Sequence, residues 1–534
     1  MQLFINGKAI DVSPSERVAI TFQRNDLADI SKANTSYTNK FKIPKTPNNV
    51  NAFEYLGVNG FSTRVPYRLN DVSLVDNSIQ IIYNGYAEIV DSDSDSYNIN
   101  IYGAEKTFFE QIKGITLQDV YPDNIINWTA ENLKLYTTSN INFCFPIAQY
   151  NGHAEQRGSL QSGIAFCKTR VMSTSPYFFV KQLFQNIFSY LGYTVSYPIV
   201  NDSIFTKLVM PSQLGVSQFL TTIQYGQPYN IKNSVPQMAV TSFLKEIMYR
   251  FQLVIKVDEF NKRVHFKQLD DIITSNDVVD WSDKYDALKN EKYAFSNYGQ
   301  NNHFIYANDV ADENFPDINP ANILRGSFPI DNETLDKDKT IITSEFIKPK
   351  LARQRQTNDF AQGRIYFPDG NSYYLYDNAE NTVDYESGDV EKKENEYQIL
   401  HLSTLRQGTA IRTVNIHFVR PDGSDEVATA IQARAAQLDN ISFQEFLDNN
   451  YPQLINLLDN VVIVKCMMNL NLLDIHNFDF FSRVYLKQFS SYFYVNKITN
   501  WEKNKAVEVE LIKIPAPVDT YYNSGGGDII GEID

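Results

Sequence analysis

Six histidines, three cysteines and 63 acidic side chains are the groups with which this 534-residue chain could do acid–base, metal or nucleophilic chemistry. The histidines are His153, His265, His303, His401, His417 and His476, and none lies three or four residues from another. No helix can therefore present two imidazoles to one metal ion, as an HExxH zinc site requires. His265, between Val264 and Phe266 in an alternating run, reads as a residue on the solvent side of a strand. Cys144, Cys167 and Cys466 are scattered, with no Cys-x-x-Cys, and their odd number excludes full internal pairing. The settings NFCF and AFCK are apolar, which reads as buried thiols in a chain made in a reducing compartment. Gly-x-Ser-x-Gly, Walker A and Gly-x-Gly-x-x-Gly patterns do not occur. The acidic run SDSDS at 92–96 lacks the glycine and bidentate glutamate of an EF-hand and reads as a solvated turn. Asp and Glu are numerous enough that a glycosidase-like pair can be chosen anywhere, so pairing has no weight. Sequence alone assigns no catalytic, cofactor-binding or metal residue and implies no cofactor.

What such a chain does must then come from its surfaces. The formal net charge is −15, the opposite of what gripping phosphates requires, and it suits a wall past which DNA slides. Aromatic residues make up 13% of the chain, with 33 Tyr and 35 Phe. Those rings favour half-buried strands and protein interfaces, where a hydroxyl stays wet while the ring packs. The length predicts several domains. No apolar run is long enough for a membrane span, and MQLFINGKAI does not read as a signal peptide or membrane anchor.

The elements that could organise these surfaces centre on a duplication. PYFFVKQLFQNIFSYLGYTV from Pro176 and PQMAVTSFLKEIMYRFQLVI from Pro236 align at a constant offset of 60 residues. Val180, Leu183, Phe184, Ile187, Phe188 and Leu191 fall on Val240, Phe243, Leu244, Ile247, Met248 and Phe251. The spacing is one stripe of a 3.6-residue helix, and each copy then turns to the period-two pattern of a strand. A return strand with Val264 and Phe266 follows the second copy. We expect the two helices on two related β-containing units.

Elsewhere, Asn6-Gly7 between short apolar runs predicts a type I′ hairpin. Strands are expected around Val18–Phe22, at 41–43 leading into a loop at Pro44–Asn49, and at 78–83, 86–90 and 97–102. The alanine-rich stretch 427–438 predicts a helix. Ser442 with Glu445 predicts a capping box, and Pro452 the first turn of a further helix. Strands return at 461–470, 483–486, 492–498 and 506–514.

Several of these stretches resemble tail proteins of Bacteroidota phages and prophages. They are RNDLADISKANTSYTNKFKIPKTPNNVNAF from Arg24, YNINIYGAEKTFFEQIKGITLQDV from Tyr97, the helix 176–195 and the helix and hairpin 235–272. DWSDKYD at 280–286 and SSYFYVNKITNWEKNKAVEVELIKI at the end complete the set. The order of the pieces up to DWSDKYD, over about 300 residues, carries the likeness. The resemblance implies a β-rich α+β chain with several domains, including β-barrel-like tail-tube or hub-type domains and the duplicated helix–strand unit. It implies a structural, non-enzymatic virion protein, a tail hub or baseplate component, with the crAss-like phages one candidate group. Its partners would be other tail and portal-proximal proteins and further copies in a three- or six-fold ring. Genomic DNA would pass without specific binding, and the protein would be assembled in the host cytoplasm. A glycan-binding or polysaccharide-degrading tail-associated protein is the alternative. The expected division is an N-terminal β domain at 1–115, a connecting segment at 116–174 and the duplicated unit at 175–306. An irregular insertion at 307–410, a C-terminal α+β domain at 411–514 and a flexible acidic arm at 515–534 complete it.

Overall fold

The computed structural model describes residues 1–23, 36–139, 141–146, 158–161, 164–212, 223–307, 324–347, 364–366, 372–374, 381–383, 390–392, 397–404, 406–407, 412–413, 415–426, 434–437 and 440–516. The fold is strand-rich α+β, as the sequence predicts. Among the described residues it contains one sheet of fourteen strands and several smaller ones.

The large sheet is built from both ends of the chain. Asn6 and Gly7 take positive φ of 50° and 74° and turn Gln2–Ile5 into Lys8–Ile10, the hairpin expected there. Asn70–Asp76, Ile79–Ser92 and Ser96–Tyr102 extend it. Ile79–Ser92 is one continuous strand where two were expected. It passes Gly85, where any Cβ would strike the carbonyl oxygen of Tyr102. Ile20–Phe22 then pairs with Ser491–Trp501, setting Ile20 opposite Trp501 and Phe22 opposite Ile498. From there the sheet continues through Val507–Ile514 and Ile463–Met468 to its far edge, Tyr285–Lys292. One apolar core lies on this frame, with Ile20, Ile99, Val484, Phe493, Trp501 and Leu511 at its centre.

A second core gathers nearly everything between Phe108 and Ile463. Both helices of the duplication are here, Val180–Tyr190 and Val240–Arg250, with bounds displaced by the 60-residue offset read from the sequence. Val180, Leu183, Phe184 and Ile187 are buried, and so are Val240, Phe243, Leu244 and Ile247. The copies do not stand on two separate β units. Thr194–Ser196 from the first and Leu253–Asp258 from the second flank Arg263–Gln268 in one three-stranded sheet, the first parallel to it and the second antiparallel. A three-residue strand has too little apolar face to stand alone, so it docks on the return strand of the other copy.

Three local expectations change. Pro47–Ala52, whose first three residues were expected as loop, form a short helix, because Pro47 suits its first turn and the Thr46 hydroxyl accepts the Asn49 N–H at 3.2 Å. Within 427–438, expected as helix, residues 434–437 form a strand against Leu400–Thr404. Alanine's helix preference is a few tenths of a kcal/mol per residue, which a sheet partner outweighs. Inside the stretch expected to be irregular, Gly326–Pro329 and Asp338–Ile347 flank Asn301–Ala307 in a sheet that buries Phe328, Ile342 and Phe346. The Ser442–Glu445 capping box and the helix begun by Pro452 form as expected.

Candidate functional site

The side chains with chemical potential lie in two places, a cleft between the cores and a cage inside the second core. The cleft, of about 330 Å³, opens between the large sheet and the hairpin of Leu253–Asp258 and Arg263–Gln268. Phe22 and Tyr83 line it from the sheet, Lys256, Glu259 and Phe260 from the hairpin, and His476 from helix Leu472–Asn477. The hairpin turn is held by Asp258, whose carboxylate accepts Asn261 N at 3.0 Å and Asn261 Nδ2 at 2.7 Å. Lys262 then takes a φ of 49°. That turn buries the Glu259 carboxylate, which accepts from the Tyr193 hydroxyl and from Lys262 Nζ at 2.6 Å. Lys262 also lies over the Tyr193 ring at 4.7 Å. Burial, then the neighbouring Glu259, drive the Tyr193 hydroxyl far above the ordinary phenol range, so it stays a donor.

The other charges here are engaged in the same way. Lys256 Nζ meets Asp479 at 2.5 Å, and His476 Nδ1 lies 3.3 Å from the Gln80 carbonyl. Phe260, 70% exposed, stands edge-on to Tyr83 with ring centres 5.2 Å apart. The Lys256 and Phe260 contacts join the hairpin of one core to the loop at Asp479 and to strand Ile79–Ser92 of the other. The cleft is a seam between cores, where Glu259 is committed to a hydroxyl and a cation and Asp258 to the amides of Asn261.

The cage surrounds Arg250, which is fully buried at the end of helix Val240–Arg250. Its guanidinium lies 4.6 Å from the Phe443 ring centre, 4.9 Å from Tyr306 and 5.5 Å from both Phe346 and Phe446. One turn back, Glu246 faces it at 3.4 Å. The Glu246 carboxylate also accepts from Ser344 Oγ and from the Glu345 amide, each at 2.7 Å. Burial pushes this carboxyl above its ordinary range, against the pull of Arg250 and the two hydrogen bonds. Arg250 donates to the Tyr306 hydroxyl at 2.9 Å, which donates in turn to the Ile441 carbonyl at 2.6 Å. One ion pair thus ties the second duplicated helix to strands Asn301–Ala307 and Asp338–Ile347 and to helix Phe443–Asn450.

Sequence reasoning named neither Glu246 nor Arg250. The signal was present: Phe243, Glu246, Ile247 and Arg250 follow i, i+3, i+4, i+7, so two charges sit inside the buried stripe. The histidines are not brought together. His401 and His417 are buried, His265 is half-buried on the face opposite Val264 and Phe266, and His303 Nε2 lies 3.2 Å from Asp338. His153 and the side chain of Cys167 lie outside the described residues. Cys144 and Cys466 are buried, and burial pushes the Cys466 thiol up to about 12. In the 92–96 turn, Asp93 accepts the Asp95 amide at 2.9 Å, with the Ser96 hydroxyl at 2.9 Å and the Ser96 amide at 2.7 Å. Those bonds pull its carboxyl down to about 2. Among the described residues no three His, Cys, Asp or Glu side chains group as metal ligands, and no helix is long and apolar enough to cross a membrane.

No protein-family model matches this chain, and no curated protein sequence does. Three solved structures cover it nearly end to end. The 43 kDa tail protein of prophage MuSo2 from Shewanella oneidensis is 8% identical over 96% of this chain and 97% of its own, with a TM-score of 0.37. A tail protein from Neisseria meningitidis MC58 is 8% identical over 96% of each chain, with a TM-score of 0.35. The prophage tail protein gp18 from Listeria monocytogenes is 7% identical over 96% and 94%, with a TM-score of 0.32.

Proposed function

We propose that this chain is a structural component of a phage tail, of the hub or baseplate kind, which assembles with further copies around the DNA channel and joins neighbouring tail parts. The observation that carries the reading is where the tail-protein-like stretches fall. Tyr97–Tyr102 belongs to the central strands of the large sheet, and 490–514 supplies the two strands that close its C-terminal half. The 176–195 and 235–272 stretches are the duplicated helices and their hairpin. The motif at 280–286 begins the edge strand, just after Val278–Asp280 pairs with Arg483–Leu486. Apart from residues 24–35, which lie outside the described residues, the likeness falls on the large sheet and the duplicated helices. Charged groups tie these parts to their neighbours.

The net charge of −15 per copy, repeated around a ring, would repel DNA phosphates from a wall of that sign and keep the channel free for passage. Mass spectrometry of purified virions tests the structural role: the chain is expected at a fixed copy number, and its absence would end the reading. The passage idea is tested on the assembled ring, where a neutral or basic lumen wall would refute it. So would tight DNA binding by the full chain at physiological salt, since every neutralised phosphate adds affinity.

A further inference from the structure

Between Phe53 and Asn70 the chain forms a loop that is pinned on its inner side and apolar on its outer one. Phe53 and Val65 are buried. Tyr97, whose ring centre lies 4.7 Å from that of Phe53, donates its hydroxyl to the Leu56 carbonyl at 2.9 Å. The Glu54 carboxylate closes the loop, accepting from Thr63 Oγ1 and from Arg68 Nη2, each at 2.7 Å. Asn70 Nδ2 holds the far end, donating to the carbonyls of Val65 at 2.9 Å and Arg68 at 3.1 Å.

On the outer side Tyr55, Val58, Phe61, Tyr67 and Leu69 are all exposed, Phe61 at 59% and Tyr67 at 84%. The rings of Tyr55 and Phe61 stack with centres 4.8 Å apart. Glu54 and Tyr55 take φ of 56° and 60°, left-handed backbone that residues other than glycine seldom adopt twice in a row. Such strain persists only where the surroundings hold it, and here the ties of Glu54 keep Tyr55 at the surface. A pinned loop with exposed aromatic rings and arginines has the composition of a protein contact centre.

Charge selects the occupant. Residues 54–69 hold Arg64, Arg68 and one acid, Glu54, in a chain of net −15. Glu54 is paired with Arg68, and Arg64 has no ion-pair partner among the described residues. With the parts that lie around the loop, residues 8–11, 40–52 and 91–95, the stretch 54–71 makes up six bases and six acids. This end of the molecule is therefore neutral on an acidic body. Two such bodies repel through most of their surface and meet where repulsion is least and an unpaired cation is offered. We infer that loop 54–69 docks on an acidic face of a second copy, Arg64 meeting a carboxylate there while Phe61 and Tyr67 form the buried centre. That contact presupposes the ring proposed above. A loop of one copy on a different face of the next is a head-to-tail contact, which closes into a ring when the rotation permits.

Full-length chains with ordinary and heavy nitrogen, each with a photo-reactive benzophenone side chain in place of Tyr67, are mixed in equal amounts and irradiated. Mass spectrometry should find position 67 joined to another copy, with about half of those links bridging the two isotopes. Phe61→Ser with Tyr67→Ser should weaken self-association about tenfold in sedimentation. Arg64→Glu should weaken it too, most at low salt, where charges are least screened. The urea midpoint should not move in either variant, since these side chains stand in water. Links that are absent or confined to single chains would overturn the contact, as would a double variant that associates like wild type. So would a label that in virions joins only a different protein. Each of those outcomes leaves the ring reading intact, whereas virions that lack the chain would overturn both.

Discussion

The two copies of the duplicated helix share a buried stripe and differ in what they put beside it. Where the first copy has Asn186 and Tyr190, the second has Glu246 and Arg250. Asn186 is buried and accepts from Gln182 one turn away at 2.7 Å, while Tyr190 is 57% exposed. The first helix thus pairs the Asn186 oxygen locally, leaves its buried amide nitrogen without an acceptor among the described residues, and packs through rings, Phe184 and Phe188 standing against Phe266 of the shared hairpin. The second sinks a full ion pair into an aromatic cage built by three other elements. A repeated stripe supplies two equivalent packing surfaces. The charges decide which neighbours each surface accepts, because a buried guanidinium tolerates only partners that supply rings and acceptors.

The largest effects should be those the copies share. Leu244→Asp and Phe184→Asp each place a carboxylate in a dry core, and each should cost about 4–5 kcal/mol in urea denaturation. A cheap substitution in one copy would show that only the other is packed as described. Next comes the position where they differ. Arg250→Ala leaves Glu246 without its cation and should cost about 3–5 kcal/mol, while the equivalent Tyr190→Ala should stay within about 0.5 kcal/mol.

Replacing the pair sharpens the point. Glu246→Leu with Arg250→Met should restore stability to within about 1 kcal/mol of wild type, since apolar residues of similar size often match a buried ion pair. If the pair selects neighbours, the restored protein should lose order at 338–347, which loses its anchor at Ser344 and Glu345. Hydrogen exchange on that strand reads this directly.

The smallest effect is on pH dependence. Burial raises the Glu246 carboxyl in the folded chain above its unfolded value of about 4.3, so folding takes up a proton in the window just above that value. This contribution is fully present below the unfolded pKa and is lost as pH rises through the folded one. Glu246→Gln should flatten that part of the stability profile, and Asn186→Leu in the other copy should leave its slope unchanged.

Much of the local structure was legible in the sequence because its causes are local. Asn6-Gly7 turns where positive φ is cheap, Ser442 and Glu445 cap their helix, and strand Arg483–Leu486 has the expected bounds. The duplicated helices were legible to within a residue, since their apolar spacing is the physics of the helix itself; of the twelve stripe positions only Leu191 and Met248 are half-buried rather than buried. Where a distant partner competes with a weak local preference, reading failed. The alanines near 435 pair with Leu402 and Ser403 from another part of the chain and become strand.

By itself the sequence determined which stretches are amphipathic, where the chain turns, and that its balance is acidic, because each depends on neighbours within a few residues or on a sum over the chain. Tertiary structure alone decided that Ile20 lies opposite Trp501, 481 residues away, and that the duplicated strands share one hairpin. It alone decided that Glu246 and Arg250 point inward, for a charge in an apolar stripe can turn to water or find a partner. That choice was settled by Tyr306, Ser344 and Phe443, which no local pattern brings beside it.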